Sequence, residues 1–448
     1  MLEQQPSYVR WQILAILVLI MLVTAFGRLN LGIAAKYLQE EFRFTTKTMG
    51  WILGAFAFGY ALFQVPWGWA GDRFGPRVTL TLAVLCWSIF TILMVVVPLI
   101  DSPWWNFAWA FGVIRFLTGA GEAASYPNAN KMIAFWTTKA ERGIGSSLLL
   151  GGVGAGGVLS PILFAATIQR WGWRSSFLLS GSLAAIVAIL WFAYVTNRPE
   201  EHPRVNSGER AILGSKTGSA NPSFRVSGVP WRRIFSSRSV WGLILSYMCH
   251  GYTPYIYFTW FFIYLTRVRG FTLIQGGFWG ATPFLAMTLM APLGGWLSDK
   301  AVARLGRQRG RQSTVWVGMT SSALLLWAGS HCTNNVYAVL LLATAAGFST
   351  FAAPSWWASC IDLAPNHSGS LSGLMNTCAN VAGGAAPIIT AQIATSFGWT
   401  VALDFAALVS FAAGILWIFV NANENLEIDG ALHRSEIGKA LTRNSAQS

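Results

Sequence analysis

Three charged side chains interrupt otherwise uncharged apolar stretches of this sequence. Arg28 lies within residues 11–35, and Arg115 and Glu122 lie within residues 107–130. A charge at the centre of a bilayer costs roughly 2.5–3.5 kcal/mol on insertion scales, so these three are expected to face a water-filled cavity rather than lipid. A guanidinium offers a bidentate fork to a carboxylate, and a buried carboxyl can take up and release a proton. The three residues therefore predict a site that handles an anion and a proton.

The spacing of these residues adds a geometric constraint. Arg115 and Glu122 are seven residues apart, which is two helical turns, so they share one face of a helix. Arg28 stands about 17 residues into its own apolar stretch, near mid-depth at the rise of an α-helix. A purely structural ion pair that locks two helices together is the alternative, because a buried pair by itself indicates nothing more.

The elements that position these charges are predicted to be transmembrane helices. Of the 448 residues, 54% are hydrophobic and only 11% are charged, whereas soluble domains carry roughly a quarter charged residues. A spanning helix requires about 20 predominantly apolar residues, and segments of this length recur from end to end of the chain. They lie at residues 11–35, 48–71, 78–100, 107–130, 144–169, 175–197, 239–266, 270–298, 312–361 (two helices, with a polar turn near 331–335), 368–403 and 405–423. The sequence therefore predicts an all-α polytopic membrane protein with twelve transmembrane helices.

The chain also repeats itself at an offset of 226–227 residues. The matches include Gly143 with Gly369, Ser146 with Ser372, Gly157 with Gly383, Pro161 with Pro387, Gly172-Trp173 with Gly398-Trp399, and Asp72 with Asp299. Two six-helix pseudo-repeats with a substrate held between them near the midplane are a known transporter plan. We expect an N-terminal six-helix bundle at 1–197, a cytoplasmic linker at 198–237, a C-terminal six-helix bundle at 238–420 and a cytoplasmic tail at 421–448.

The net charge of +14 follows from membrane topology. Of 31 Lys and Arg residues, 22 fall on the side that carries both termini and the linker, as the positive-inside rule requires of a cytoplasmic side. We therefore expect a multi-pass protein of the cell inner membrane with both termini cytoplasmic, in contact with the lipid bilayer and not with nucleic acid. The five cysteines are scattered without disulfide or metal spacing, so neither a metal nor a cofactor is expected. A monomer is expected.

A glycine-rich, charged segment from Gly68 to Arg77 closes the second predicted helix, and a weaker copy around Asp299 closes the eighth. Glycines let helices approach closely, and a carboxylate at a helix end can receive the positive end of a neighbouring helix dipole. The segment resembles the signature of the major facilitator superfamily. The resemblance implies the major facilitator fold, with Asp72, Arg73, Arg77 and Asp299 latching the cytoplasmic gate shut in the outward-facing state.

Motifs along nearly the whole chain resemble one branch of that superfamily, the anion:cation symporter family. They are Phe26-Gly27-Arg28-Leu29-Asn30, Gly59-Tyr60 with Gln64 and Pro66, Arg115-Phe116 with Gly119 and Glu122, Tyr126-Pro127, Gly172-Trp173-Arg174, Thr259-Trp260, Trp357 with Asp362 and Pro365, and Gly373-Leu374-Met375-Asn376 with Asn380 and Gly383. Members of that family include proton-coupled sugar-acid permeases, phthalate-type permeases, and the animal sialic acid and vesicular glutamate carriers.

The resemblance implies roles for residues in both halves. Arg28 would bind the substrate carboxylate, and Tyr60 would hydrogen-bond to it from the second helix. From the other half, Asn376, Trp357 and Asn380 would contact the substrate. The implied partners of the protein are a small organic anion and a proton.

The same resemblance implies a route for proton coupling. Glu122 would be the proton-binding carboxylate, with Arg115 modulating its charge. Bacterial sugar-acid members usually carry Asp directly before the helix 1 Arg, whereas this chain has Gly27. Glu122 is then the only acidic residue predicted in the central cavity, and the proton stoichiometry stays open, as does sodium in place of the proton.

The seventh predicted helix adds weaker candidates. His250 stands near Tyr252 and Tyr255 in the sequence, and we take the two tyrosines as candidate substrate ligands. Because histidine titrates near neutral pH, His250 is a second candidate for proton coupling. The alternative is a neutral, hydrogen-bonded histidine with a structural role.

The sequence as a whole predicts a proton-coupled symporter that imports an organic anion by alternating access, with a sugar acid such as an aldonate, aldarate or hexuronate as the first expectation. Uptake of an aromatic or other carboxylate is an alternative. A proton-coupled exporter of drugs or metabolites is another, although this chain has Ser160-Pro161 where exporters usually carry a Gly-Pro pattern. No Ser/His/Asp, metal or paired-carboxylate constellation favours an enzyme.

Overall fold

The computed structural model describes residues 5–99, 106–138, 141–214, 231–364, 368–424 and 426, and the described chain is helical throughout. The α-helices are α1 (Val9–Phe42), α2 (Thr46–Phe74), α3 (Pro76–Val96), α4 (Phe107–Glu122), α5 (Ser125–Trp136), α6 (Arg142–Trp171), α7 (Trp173–Tyr194), α8 (Ser207–Gly214), α9 (Trp231–Ser236), α10 (Arg238–Thr259), α11 (Phe261–Ile263), α12 (Leu273–His331), α13 (Asn335–Leu363), α14 (Ser368–Phe397) and α15 (Trp399–Ile415). A short π-helical segment, Tyr264–Val268, follows α11.

Twelve membrane crossings are built from these helices within the described residues. Seven helices are long and apolar enough to span a bilayer on composition alone: α1, α2, α3, α6, α7, α13 and α15. Helices α4 and α5 together form one further crossing. Helices α10 and α14 form one crossing each. The last two lie in α12, which turns sharply at Gly306 (φ 79°), a backbone conformation that glycine adopts without strain. The predicted twelve-helix, two-bundle fold is confirmed.

Both bundles place the start of their first helix on the same side of the molecule, which we call the linker side because α8 and α9 lie there. The opposite side, where α1 ends and α2 begins, is called the far side. On the linker side the buried Glu209 of α8 accepts hydrogen bonds from the backbone amides of Val9 and Arg10 at 3.0 and 3.1 Å. A carboxylate at this position suits the positive end of the helix dipole. The first part of the linker is therefore fixed to the start of α1.

In the second bundle a carboxylate also lies at the start of the first helix, α10. Glu424, which follows the last helix, accepts hydrogen bonds from the hydroxyls of Ser237, at 2.9 Å, and Ser239. The predicted tail at 421–448 lies outside the described residues from 427 onward.

The two bundles touch mainly along two helix pairs that run from the far side to mid-depth, and α1 also meets α10, where Gly32 lies against the carbonyls of Phe258 and Thr259. In the α2–α14 pair, Gly50 lies directly against Pro387 and Ala391. In the α6–α12 pair, Gly277 lies against Pro161 and Ala165. Glycines at these points let the helix backbones approach closely.

Toward the linker side the two pairs separate. The α2–α14 contact extends to a hydrogen bond between Gln64 and Asn376 at 3.1 Å. One turn further, a Cβ added at Gly68 would meet only Pro127 of its own bundle, and a Cβ added at Gly151 of α6 would meet nothing within 4 Å. The interface is thus closed on the far side and open toward the linker side.

Candidate functional site

An ion pair between α1 and α4 lies at the centre of the first bundle. Arg28 donates a hydrogen bond through Nε to Oε1 of Glu122. The Glu122 side chain is fully buried, whereas 15% of the Arg28 side chain is exposed. Glu122 is the last residue of α4, and the turn after it is held by Ser125, whose hydroxyl donates to the Glu122 carbonyl at 2.8 Å. The carboxylate therefore sits at a helix break and not within a continuous helix.

Arg115 lies on the same face of α4 as Glu122 and donates hydrogen bonds to the backbone of α1. Its two Nη atoms donate to the carbonyls of Gly27 and Arg28, each at 2.8 Å. Its guanidinium lies 4.5 Å from the ring centroid of Phe56. Arg115 is buried, and its placement fixes α1 beside α4 so that Arg28 meets Glu122.

Gly27 explains how the carboxylate fits against α1. A Cβ at this position would lie 3.2 Å from Oε2 of Glu122, so a larger side chain would press on the carboxylate. Oε2 of Glu122 and Nη2 of Arg28 are both buried and lack a hydrogen-bond partner within the described chain. Buried polar groups are normally satisfied. One buried acceptor and one buried donor are thus open to a ligand, a proton or water.

A small cavity of about 10 Å³ adjoins this pair, enough for roughly one water molecule. It is lined by Arg28, Leu53, Phe56, Arg115, Tyr255, Phe258 and Thr259. The lining comes from α1, α2 and α4 of the first bundle and from α10 of the second. Arg28 therefore faces the interface between the bundles and not the lipid, as expected from the cost of burying charge, while its partner Glu122 is buried and does not line the cavity.

Tyr60 of α2 lies against the ion pair. Its ring centroid is 4.7 Å from the Arg28 guanidinium and 6.1 Å from the ring of Phe56. These contacts depend on close packing of α2 on α4, where Gly59 and Gly119 each lie against the backbone of the other helix. The ring thus shields one face of the cation through a cation–π contact.

A chain of neutral hydrogen bonds begins at Tyr255, which lines the same cavity as Arg28, and runs through the second bundle. The Tyr255 hydroxyl donates to Oδ1 of Asn380 at 2.8 Å, and Nδ2 of Asn380 donates to the carbonyl of Asn376 at 2.8 Å. Nδ2 of Asn376 then donates to Oε1 of Gln64 in the first bundle at 3.1 Å. The structure therefore brings together Tyr255, Asn376 and Asn380 as expected from the sequence, and it adds Gln64. The only sequence signal for Gln64 is its place in the α2 motif.

Trp357 lies on the linker side of these amides. It is 42% exposed, whereas its neighbour Trp356 is fully buried. Nε1 of Trp357 donates to the hydroxyl of Tyr247 at 3.1 Å. Tyr247 carries no motif, and sequence reasoning missed it.

Two candidates of α10 lie within the second bundle instead of at the interface. The Tyr252 hydroxyl shares a hydrogen bond with Thr390 at 2.8 Å, and Tyr252 is 4% exposed. His250 shares a hydrogen bond with Ser349 at 3.0 Å and stacks on Trp356 with ring centroids 4.9 Å apart. The geometry of His250 matches the structural alternative given above, while Tyr252 holds its bundle together.

The charged gate residues of the first bundle contact their own bundle. Asp72 pairs with Lys131 at 2.7 Å, and Lys131, which sequence reasoning missed, also donates to the carbonyl of Gly68. Arg77 donates to the Phe192 carbonyl at 2.7 Å.

The remaining gate residues are arranged in the same way. The Arg73 guanidinium lies 5.3 Å from the ring centroid of Trp69. In the second bundle, Asp299 pairs with Arg311 at 2.9 Å, and Arg311 also lies 3.5 Å from Asp362. Within the described chain, the four gate residues therefore form no hydrogen bond or ion pair between the bundles, in line with the separation on the linker side.

On the far side an ion pair does join the bundles. Nη2 of Arg267, at the π-helical segment after α11, lies 3.4 Å from Glu40 and donates to the carbonyl of Lys36 at 3.3 Å. Neither Arg267 nor Glu40 lies in a sequence motif named above, and sequence reasoning missed this pair. Over the described residues, no group of His, Cys, Asp and Glu side chains could hold a metal ion.

Comparison with known proteins finds related sequences along most of the chain. The chain matches the family described as Major Facilitator Superfamily over residues 17–387 and 301–443. It is 29% identical to the probable sulfoacetate transporter of Cupriavidus necator, over 86% of this chain and 87% of that protein. It is 30% identical to the probable anion transporter 4, chloroplastic, of Oryza sativa subsp. japonica, over 95% of this chain and 70% of the relative. The probable galactarate/D-glucarate transporter of Bacillus subtilis is 27% identical, with 93% and 92% covered.

Solved structures share the fold. A bacterial homologue of the human lysosomal transporter Spinster, in an inward-facing and occupied conformation, superposes with a TM-score of 0.75 at 18% identity, covering 92% of this chain and 96% of that one. A D-xylose–proton symporter superposes with a TM-score of 0.72 at 16% identity, covering 92% and 98%. The curated relatives are anion transporters and not enzymes, so the expected resemblance to anion:cation symporters is confirmed.

Proposed function

The chain belongs to the major facilitator superfamily, and we propose that it imports an organic anion together with a proton by alternating access. Its named relatives are anion transporters, and two of them are named for organic anions, sulfoacetate and galactarate/D-glucarate. The observation that carries the proposal is the buried Arg28–Glu122 pair at the interface between the bundles. It combines an anion-binding cation with a proton-binding carboxyl in direct contact.

The anion would bind at Arg28. Nη2 of Arg28 is a buried donor without a partner in the described chain, and a carboxylate oxygen would satisfy it. Tyr60 lies against the same guanidinium, and its hydroxyl would reach the substrate from α2. Charge-assisted bonds of this kind are roughly twice as strong as neutral ones.

The proton would bind at Glu122. When the carboxyl is ionised, it neutralises Arg28 and competes with the substrate anion for the guanidinium. When Glu122 is protonated, Arg28 is released to hold the anion, so anion and proton favour each other's binding. Arg115 would act by holding α1 in place, since both of its Nη groups donate to the carbonyls of Gly27 and Arg28.

The proposed topology determines which side of the membrane the open side of the molecule faces. If both termini are cytoplasmic, the linker side faces the cytoplasm and the structure is inward-facing. Arg267–Glu40 would then close the outer side, while Asp72 and Asp299 would engage the opposite bundle only in the outward-facing state. We place the protein in the cell inner membrane as a monomer, with bundles at 1–197 and 238–420.

A sugar acid is the proposed substrate class. The site offers one cation and several neutral hydrogen-bonding groups, among them Tyr255, Asn376, Asn380 and Gln64. Amides and hydroxyls of this kind match the hydroxyl groups of an aldonate, aldarate or hexuronate, each of which donates and accepts.

The test is uptake into proteoliposomes that contain the purified protein. Radiolabelled sugar acids and aromatic carboxylates are offered with and without an inward proton gradient, and with and without sodium. Accumulation above the external concentration only when the gradient is present is the expected result. Accumulation that requires sodium, or the absence of any organic anion uptake, would overturn proton-coupled import.

A further inference from the structure

We infer that the site selects an organic anion with a single negative charge, bound at Arg28, whose uncharged far end is held by Gln64 and Asn376. The inference rests on the proposed function and concerns the substrate class at the same site. For sugar acids it favours aldonates and hexuronates over aldarates.

The first step is the supply of cations. Within the described part of the membrane core, the basic side chains at the interface are Arg28 and Arg115. Both Nη atoms of Arg115 are used by carbonyls of α1, and the side chain is 5% exposed. Arg28 retains one unpartnered donor, Nη2, and the Nε of Arg115 is also unpartnered but belongs to a side chain that is held by α1. The cations of the site therefore lie at its Arg28 end, and Arg28 is the more exposed of the two.

The second step is the chemistry at the opposite end of the site. Gln64 lies one helical turn from Tyr60 toward the linker side, about 6 Å along α2. Its amide oxygen accepts from Asn376 across the bundle interface at 3.1 Å. A six-carbon chain with its carboxylate at Arg28 has the length to reach this amide pair. The hydroxyl groups of such a ligand would replace the hydrogen bond between Asn376 and Gln64 with hydrogen bonds of their own.

The third step is that the described residues around this amide pair carry no compensating positive charge. The neighbouring groups are neutral: Asn380 bonded to Tyr255, and Trp357 bonded to Tyr247. Lys131, the basic residue of α5, is paired with Asp72. A second carboxylate at Gln64 would lose its hydration without gaining a cation, which is strongly unfavourable. A hydroxyl or aldehyde-derived oxygen would be satisfied by the amides.

The experiment compares ligand pairs that differ by one carboxylate. Binding of gluconate and glucarate, galactonate and galactarate, and benzoate and phthalate is measured calorimetrically with the purified protein in nanodiscs at pH 7.5. All carboxyls are ionised at this pH. We expect the monoanion to bind at least about tenfold more tightly in every pair that binds. Equal or tighter binding of the dianion would overturn the inference and leave organic anion transport intact.

The outcomes also separate the two proposals. If no member of any pair binds or is transported, the proposed function fails, and this inference fails with it. If the aromatic pair binds and the sugar acids do not, the sugar-acid assignment is wrong, while the charge preference is still decided by benzoate against phthalate.

A cation introduced at Gln64 or Asn376, where the uncharged end of the ligand would lie, sharpens the test. Gln64→Lys or Asn376→Lys is expected to reduce the monoanion-to-dianion affinity ratio by about tenfold or more, because the second carboxylate gains a partner. The control is Gln392→Lys, which adds the same charge to α14 at an exposed position near the far side and is expected to leave the ratio unchanged. If a folded lysine variant at either site keeps the wild-type ratio, the far end does not lie at Gln64 and Asn376. If both variants fail to fold, the wild-type comparison still decides the charge preference.

Discussion

The two bundles repeat one another in sequence but divide the chemistry unequally. At an offset of 227 residues, which aligns Asp72 with Asp299, Arg28 corresponds to Tyr255 and Glu122 to Ser349. The first bundle therefore holds the buried ion pair, while the second has neutral groups at the same positions. Ser349 bonds to His250, and Tyr255 bonds to Asn380.

This difference indicates a separation of tasks across the interface. A buried charge is costly and requires partners on every side, and α1, α2 and α4 supply them within one bundle. The second bundle can then change its distance from the first without exposing an unpaired charge. We expect variants of the first bundle to change charge-dependent behaviour, and variants of the second to change affinity alone.

The largest effect is expected from Arg28→Lys. The substitution keeps the charge but removes the planar fork that holds Glu122 and the anion together. Substrate affinity should fall by about 100-fold or more, a range typical of damaged buried charge pairs. Calorimetric binding measures it, with Arg170→Lys at an exposed position of α6 as the matched control. Wild-type affinity in a folded Arg28→Lys protein would show that the anion binds elsewhere.

Glu122→Gln should remove coupling while sparing exchange. The amide cannot ionise, so a proton gradient no longer drives accumulation, whereas counterflow at equal pH needs no net proton movement. The two assays are compared in the same proteoliposomes. Glu141→Gln, which neutralises a carboxylate of the same bundle outside the site, should retain both activities. Intact uphill uptake in Glu122→Gln would transfer the coupling role to His250 or to sodium.

Asn376→Leu tests the neutral half of the comparison. The loss of one or two neutral hydrogen bonds should weaken substrate binding by about 5–20-fold. The pH dependence of uptake should stay as in the wild-type protein, because no charged group is altered. A changed pH profile would mean that the second bundle takes part in proton coupling, and the separation of tasks would be wrong.

Asp72→Asn should slow transport without weakening binding. Asp72 pairs with Lys131 on the linker side of the first bundle, away from Arg28. We expect equilibrium binding within about twofold of wild type and a several-fold lower exchange rate per bound substrate. Loss of binding with an unchanged exchange rate per bound substrate would contradict the gate assignment.

The smallest effect concerns stability at low pH. Although burial opposes ionisation of Glu141, hydrogen bonds from Thr138 and the charge of Arg10 hold the pKa of this carboxyl below its usual value of 4.5. Such a group stabilises the folded state above its unfolded pKa, and the contribution is lost as pH falls through the lower folded value. Glu141→Gln should therefore lower the melting temperature slightly at pH 6–7, and the difference from wild type should vanish under strong acid. Transport should be unaffected.

The sequence by itself determined the twelve helices, the two-bundle repeat and the identity of the ion pair. Spanning helices follow from apolar length because the backbone must satisfy its own hydrogen bonds in lipid. Charges in such helices are so costly that Arg28, Arg115 and Glu122 stood out without any structure. The spacing of Arg115 and Glu122 also predicted their common face.

Only the tertiary structure decided which groups meet across helices. The sequence treated Arg115 as a modulator of Glu122, whereas both of its Nη groups donate to carbonyls of α1. The contacts of four residues are made with partners about 60 to 310 positions away in the sequence, which no local pattern encodes: Gln64, Tyr247, Lys131 and Arg267. Helical periodicity fixes the face on which a residue lies, but the partner on the next helix depends on how closely the backbones pack. In this protein that closeness is set by glycines such as Gly27, Gly59 and Gly119.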